Sequence, residues 1–347
     1  AGVMGWPVMH SRSPLMHNYW MEQQGLAGTY VFLAIKPSKL APALRALHPL
    51  GFSGCNLTIP HKLDAMTIVD NVDEVAKLIG AISCVVVRDD GSLFGTNNDW
   101  LGFIGNLKQN LPGWRADVGP IAVIGAGGGG RAVCYALLQL GAKEIRLVNR
   151  TREKAEAIAA EFGGPIHVSP WEDRHDLLEG VATAVNVTSQ GMDGEPALDL
   201  RLDKLSKSAL AADIIYTPLE TPFLAAARER GNRTVNGLGM LLHQGPPAWK
   251  MWFNIEPKVT VPLRERMEQS RQRILQSQDV NRPVVDLNER DLFALLNDNN
   301  YAKGGWVLHM LRGLLGDDVF FAGAPIDVGL EVAFLEGSEE ILAGIAD

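Results

Sequence analysis

The amino-acid sequence predicts an α/β fold, on three observations. Apolar runs of strand length alternate with helical stretches between residues 29 and 235, the pattern of βαβ units. One run, Ile121-Ala122-Val123-Ile124, feeds a glycine-rich turn, Gly125 to Gly130, which opens the amphipathic stretch 132–140. Polar clusters stand at the ends of several runs, where open α/β sheets bind ligands.

The bulk numbers bound the rest. A chain of 347 residues has room for one large or two to three ordinary domains. With 46% hydrophobic and 21% charged residues it has the composition of a soluble globular protein. A net charge of −8 argues against nucleic acid or an anionic membrane as partner. No apolar run reaches the ~18 residues of a membrane-spanning helix. The three cysteines, Cys55, Cys84 and Cys134, are odd in number and lack C-x-x-C spacing. That predicts neither disulfide framework nor metal site and points to the cytoplasm. No signal peptide is visible. Residues 1–7 read as the second half of a strand, so residues preceding Ala1 are expected.

Elements follow in order. Ser13-Pro14 opens a helix that Gly25 ends, with Ser13 as N-cap and Pro14 in the first turn. Residues 29–35 read as a strand, 37–47 as a helix, and 54–59 as a strand stopped by Pro60. Residues 72–79 read as a helix and 82–87 as a strand, with Asp89-Asp90-Gly91 as the turn into a returning strand at 93–95. The polar clusters of this half are His10-Ser11-Arg12-Ser13, Asn56-Leu57-Thr58-Ile59-Pro60-His61-Lys62 and Thr96-Asn97-Asn98-Asp99. Taken singly, each has an ordinary reading: a helix cap, a surface lysine after a proline turn, and an N-cap at Asp99.

A helix over 101–111, closed by Pro112-Gly113, links two lobes. Strand, glycines and helix then give the context in which G-x-G-x-x-G marks a dinucleotide site. Gly125 allows the tight turn, Gly127 the approach of a pyrophosphate, and Gly130 close helix packing. Ala126 and Gly128 add main-chain N–H groups at the positive end of the helix. The next strand, 144–148, ends at Asn149-Arg150-Thr151, with Arg152 and Lys154 beyond. A carboxylate there would accept from a free ribose hydroxyl and favour NAD, whereas Arg150 and Lys154 attract a 2′-phosphate, so NADP is expected. Strands at 166–168, 183–187 and 210–216, a helix at 223–230 and a strand at 233–235 continue the lobe. Thr188 and Ser189, in the polar stretch 186–191, face the cofactor crevice. A helix from Asn236 returns to the first lobe. The division is therefore 1–100, completed by 237–268, for substrate; 101–236, a Rossmann-type doubly wound domain, for NADP; and an atypical, mostly helical tail at 269–347.

The three N-terminal clusters, read as H-S-x-S-P, N-x-T-x-P-x-K and G-x-N-x-D, stand in order before the dinucleotide loop, and over residues 1–268 the chain resembles the shikimate dehydrogenase family. The resemblance implies reversible hydride transfer between NADPH and 3-dehydroshikimate. It makes Lys62 the proton donor and acceptor, with Asp99 as its partner. Ser11 and Ser13 would bind the substrate carboxylate, and Asn56 and Thr58 its hydroxyls. Tyr216 and the N-G-x-x-M-L-x-x-Q helix close the site, with Gly237 and Met240 toward the cofactor and Tyr216 and Gln244 toward the substrate. Asn149-Arg150-Thr151 matches the family's NADP signature. Two positions depart: Ser83 stands where the family has a substrate-binding Asn, and bulky Trp100 follows Asp99. They leave open a paralogue acting on quinate, an aminoshikimate or a related hydroxy acid. A non-catalytic nucleotide-sensing module on the same fold is the alternative of another class. The partner expected is a small-molecule substrate, and the sequence leaves a homodimer open.

The tail departs from that family. Around 286–321, with Tyr301-Ala302-Lys303-Gly304, it resembles a fragment of an M1 zinc aminopeptidase. H-E-x-x-H, which supplies two zinc ligands and the general base, is absent. Tyr301 is accordingly read as a packing residue, and no peptidase activity is assigned.

Overall fold

In the computed structural model, the backbone of residues 1–276 and the side chains through 268 are described; Tyr301 and the aminopeptidase-like stretch lie outside the described residues. Two six-stranded sheets are built from successive parts of the chain. The first contains β1 (Gly2–Gly5), β2 (Val31–Ala34), β3 (Gly54–Leu57), β4 (Asn71–Val72), β5 (Cys84–Val87) and β6 (Leu93–Thr96), in the order β2-β1-β3-β5-β6-β4. It is mixed: β1 runs parallel to β2 and β3, and β5 is antiparallel to both β3 and β6. The second contains β7 (Ile121–Ile124), β8 (Ile145–Val148), β9 (Ile166–Ser169), β10 (Thr183–Asn186), β11 (Leu210–Asp213) and β12 (Arg233–Val235). Its order, β12-β11-β10-β7-β8-β9, is parallel throughout. This is the doubly wound arrangement, with its topological switch point between β7 and β10.

Local chemistry shifts several expected boundaries. Ser13 is the first residue of the helix Ser13–Gln24 rather than its cap; Arg12 holds the cap position without a side-chain bond. The helix expected from residue 72 begins at Glu74, because Asp73 caps it by accepting from the Ala76 N–H while 71–72 join the sheet. Thr151 precedes the helix Arg152–Phe162 but makes no capping bond. Some strands are shorter than expected, β2 at Val31–Ala34, β3 at Gly54–Leu57 and β5 at Cys84–Val87, while β7 spans its whole run.

After β12 the chain turns back. Leu238, Leu241, Leu242, Trp249, Trp252, Leu263 and Met267 share one core with Val3, Met16, Trp20 and Tyr30 beside the first sheet. The helix Asp99–Asn110 carries Phe103 and Leu107 into the core of the second sheet. It crosses the helix Leu238–His243 with almost no separation: a Cβ at Gly239 would lie 2.0 Å from Asn106 Oδ1, and one at Gly102 2.4 Å from the Met240 carbonyl. Only glycine fits both positions. Among the described residues no helix is long and apolar enough to cross a membrane. The three cysteines are buried free thiols, and burial pushes Cys55 and Cys134 up to about 12, so they stay protonated and inert.

Candidate active site

A cleft of about 650 Å³ opens between the ends of the strands of the two sheets. Its second-sheet wall begins where β7 delivers the chain into Gly125, at φ 120°, and the helix Gly128–Gln139 starts at once. Gly125, Ala126, Gly127 and Gly128 line the cleft. Gly130 lies behind them, where a Cβ would stand 2.6 Å from the Gly125 carbonyl, so its part is close packing of helix on turn. Asn149 locks this turn to the end of β8: its Oδ1 accepts from the Ala126 N–H (3.1 Å) and its Nδ2 donates to the Thr151 carbonyl (2.8 Å). Arg150, Thr151 and Lys154 also line the cleft. No ion pair or hydrogen bond holds Arg150 or Lys154 among the described side chains, whereas Arg152 is taken by Glu156 at 2.7 Å. A glycine turn at a helix N-terminus beside uncommitted basic groups suits a phosphate-bearing dinucleotide.

Thr188 and Ser189 follow β10, and Tyr216 follows β11, on the same wall. Beneath them lies a polar knot that sequence reading missed. Asp213 accepts from Asn186 Nδ2 (3.1 Å), Thr221 Oγ1 (2.7 Å) and the Ile215 N–H (2.9 Å). Asn186 in turn accepts from the Thr188 N–H and donates to the Gln190 carbonyl. The knot ties together the two loops that bear Thr188 and Tyr216. Burial pushes the Asp213 carboxyl up to about 6. Its sequence signal was the carboxylate ending an otherwise apolar strand.

The first-sheet wall carries Ser11, Ser13, Asn56, Thr58, Lys62 and Asp99, and Gly237, Met240 and Gln244 from the returning segment complete the cleft. Lys62 Nζ lies 2.6 Å from Asp99 Oδ2, with the carboxylate 1% exposed and the lysine 19%. Asp99 begins its helix, so the helix N-terminus favours its negative charge. Two braces set the pair. The Lys62 carbonyl accepts from the Ile82 N–H (2.8 Å). Asn97 accepts from the Asp99 N–H (3.0 Å) and donates to the Ala81 carbonyl (2.9 Å). The lysine stem passes close to the glycine turn, where a Cβ at Gly128 would be 3.3 Å from Lys62 Cβ. Asn56 Oδ1 accepts from the Tyr30 hydroxyl (2.7 Å), and the Ser11 and Ser13 hydroxyls are 3.2 Å apart. Burial pushes the Tyr216 phenol above its ordinary value, against its hydrogen bond with Ser11.

The two departures read from the sequence fall elsewhere. Ser83 is 1% exposed and lies behind the cleft wall; its Oγ accepts from the Asn98 N–H at 2.8 Å. It braces the turn that leads into Asp99 and does not line the cleft. Trp100 stands edge-on to Tyr135, ring centroids 5.3 Å apart, and packs against the cores, away from the cleft.

Comparison with known proteins shows the family. The family described as "Shikimate dehydrogenase substrate binding domain" matches residues 3–85, and that described as "Shikimate / quinate 5-dehydrogenase" matches residues 108–192. A relative from Paracoccus denitrificans named "Shikimate dehydrogenase (NADP(+))" is 50% identical over 264 residues, which span 76% of this chain and 94% of the relative. A shikimate dehydrogenase from Thermus thermophilus, solved in complex with NADP(H) and shikimate, is 35% identical with a TM-score of 0.68, covering 78% of this chain and 98% of that one. A quinate dehydrogenase from Corynebacterium glutamicum, solved in complex with NAD, is 29% identical with a TM-score of 0.69, over 78% of this chain and 98% of that one. The chain belongs to the shikimate dehydrogenase family.

Proposed function

We propose that this protein catalyses the reversible NADPH-dependent reduction of 3-dehydroshikimate to shikimate. The observation that carries the reading is the Lys62–Asp99 pair, 2.6 Å apart, in the cleft faced by the glycine turn. The cofactor supplies the hydride, which turns a ketone into an alkoxide. Lys62 Nζ delivers the proton to that oxygen, and Asp99 holds the ammonium in place and accepts from a neighbouring substrate hydroxyl. Ser11 and Ser13 hold the carboxylate of the substrate, Asn56 and Thr58 its hydroxyls, and Tyr216 and Gln244 close over it. Asn149 sets the turn that receives the pyrophosphate, and Arg150, Thr151 and Lys154 take the 2′-phosphate. Thr188, Ser189, Gly237 and Met240 flank the nicotinamide half.

The chain divides functionally into a substrate lobe at 1–100, completed by 237–268, and a cofactor lobe at 101–236. Trp100 is turned away from the cleft and Ser83 does not line it, so the site lacks the Asn that the family resemblance places there. The names of relatives 50% identical to this chain support shikimate over quinate or an aminoshikimate. The proposed setting is cytoplasmic. Initial rates with NADP and NAD against shikimate, quinate and an aminoshikimate test the reading. The pair NADP and shikimate is expected to give the highest kcat/KM, and a higher value for quinate would overturn the substrate assignment.

A further inference from the structure

The helix Ser13–Gln24 places Ser13 and His17 four residues apart, on one face. Helical side chains lean toward the N-terminus, which sets His17 one turn behind Ser13 along that face. Both residues line the cleft, although His17 is only 1% exposed. The ring is fixed on every side. It stacks on Tyr30 at 4.0 Å with an 8° interplanar angle and meets the edge of Trp20 at 5.6 Å. Trp249 Nε1 donates to His17 Nδ1 at 2.7 Å.

That last contact settles the tautomer. An indole N–H can only donate, so Nδ1 must present a lone pair and the ring proton must sit on Nε2. Burial pushes the imidazole down to about 3, so it stays neutral at any working pH. Nε2 has no partner among the described residues, yet it is not among the buried nitrogens sealed off from solvent. His17 itself lines the cleft. An N–H donor that is buried, oriented and unpartnered is suited to a ligand acceptor.

We propose that His17 is a substrate-binding residue, donating from Nε2 to a carboxylate oxygen of the ring acid behind Ser11 and Ser13. The inference rests on the function proposed above and adds a recognition element to it. A carboxylate fits because the first turn of the same helix favours negative charge and the donors gathered there are neutral. Nothing in this role requires His17 to change protonation, so it contributes to binding and not to proton transfer.

The test combines steady-state kinetics with nitrogen NMR of the full chain. His17→Phe keeps the ring stacking and removes both nitrogens. It is expected to raise KM for shikimate about 10- to 100-fold, the effect of losing a hydrogen bond to a charged group, with KM for NADP unchanged. His17→Gln, whose amide N–H reaches the position of Nε2, is expected to restore part of the loss. In the wild type, the Nε2–H resonance is expected to shift when shikimate saturates the protein, while Nδ1 remains unprotonated. A folded His17→Phe variant with KM for shikimate within twofold of wild type would overturn the proposal. So would an Nε2–H resonance that shikimate leaves unmoved, which decides the matter if His17→Phe does not fold. Wild-type protein that turns over none of the acids would overturn the functional reading instead, and a resonance that still moves with shikimate would leave the His17 assignment standing.

Discussion

On the wall built on the second sheet, a turn of glycines and a helix start stand beside Arg150 and Lys154, which no ion pair or hydrogen bond holds among the described side chains. The wall built on the first sheet offers side chains, each pinned by another: Lys62 by Asp99, Asn56 by Tyr30, His17 by Trp249. Both walls stand at the carboxyl ends of parallel strands: β1, β3 and β6 run the same way, with only β5 reversed among them. Deleting one side chain should therefore cost more on the first wall than on the second.

The sharpest way to break that contrast is to cut the pair. Lys62→Ala and Asp99→Ala are each expected to lower kcat by ~10²–10⁴, the range for a positioned general acid and its partner. Because the two act as one unit, the double variant should be no slower than Lys62→Ala alone. Rate losses that multiply would show that the residues act separately.

A second prediction concerns the buried support of the cofactor wall. The Asp213 carboxyl stands at about 6 in the folded chain, above its unfolded value near 3.8. The fold thus prefers the protonated form, and stability falls as pH rises from about 4 through 6. At roughly 1.36 kcal/mol per unit the full difference is about 3 kcal/mol. Asp213→Asn cannot ionise, so denaturant titrations should show its stability, relative to wild type, improving between pH 4 and pH 7. Curves that stay parallel would remove the buried carboxylate from the account.

The smallest effect is expected at the exposed rim. Arg150→Ala should raise KM for NADP about tenfold, a solvent-screened share of a charge-assisted hydrogen bond. KM for NAD should stay as it was. An equal loss with both cofactors would place Arg150 away from the 2′-phosphate.

Much of this was legible in the sequence. The glycine turn, the alternation of strands and helices, and the clusters that hold Lys62 and Asp99 are all local patterns, and Gly125, Gly127, Lys62 and Asp99 line the cleft. The misread features depend on direction. A serine at position 83 reads as a shortened ligand-binding residue, but strand pairing turns it toward the Asn98 N–H. Trp100 reads as bulk beside the acid, but one step along a helix rotates it by about 100° toward Tyr135. His17 reads as one more residue of the helix that Ser13-Pro14 opens. Its meaning depends on Trp249, 232 positions away, and no local pattern announces that partner.

The central claim is that the first wall carries the proton chemistry while the second only binds. It is tested most directly by single-turnover oxidation of NADPH by Lys62→Ala with 3-dehydroshikimate, read alongside NADPH affinity in the same variant. The account predicts unchanged affinity and a hydride-transfer step slowed by ~10²–10⁴. A hydride-transfer rate equal to wild type would contradict it.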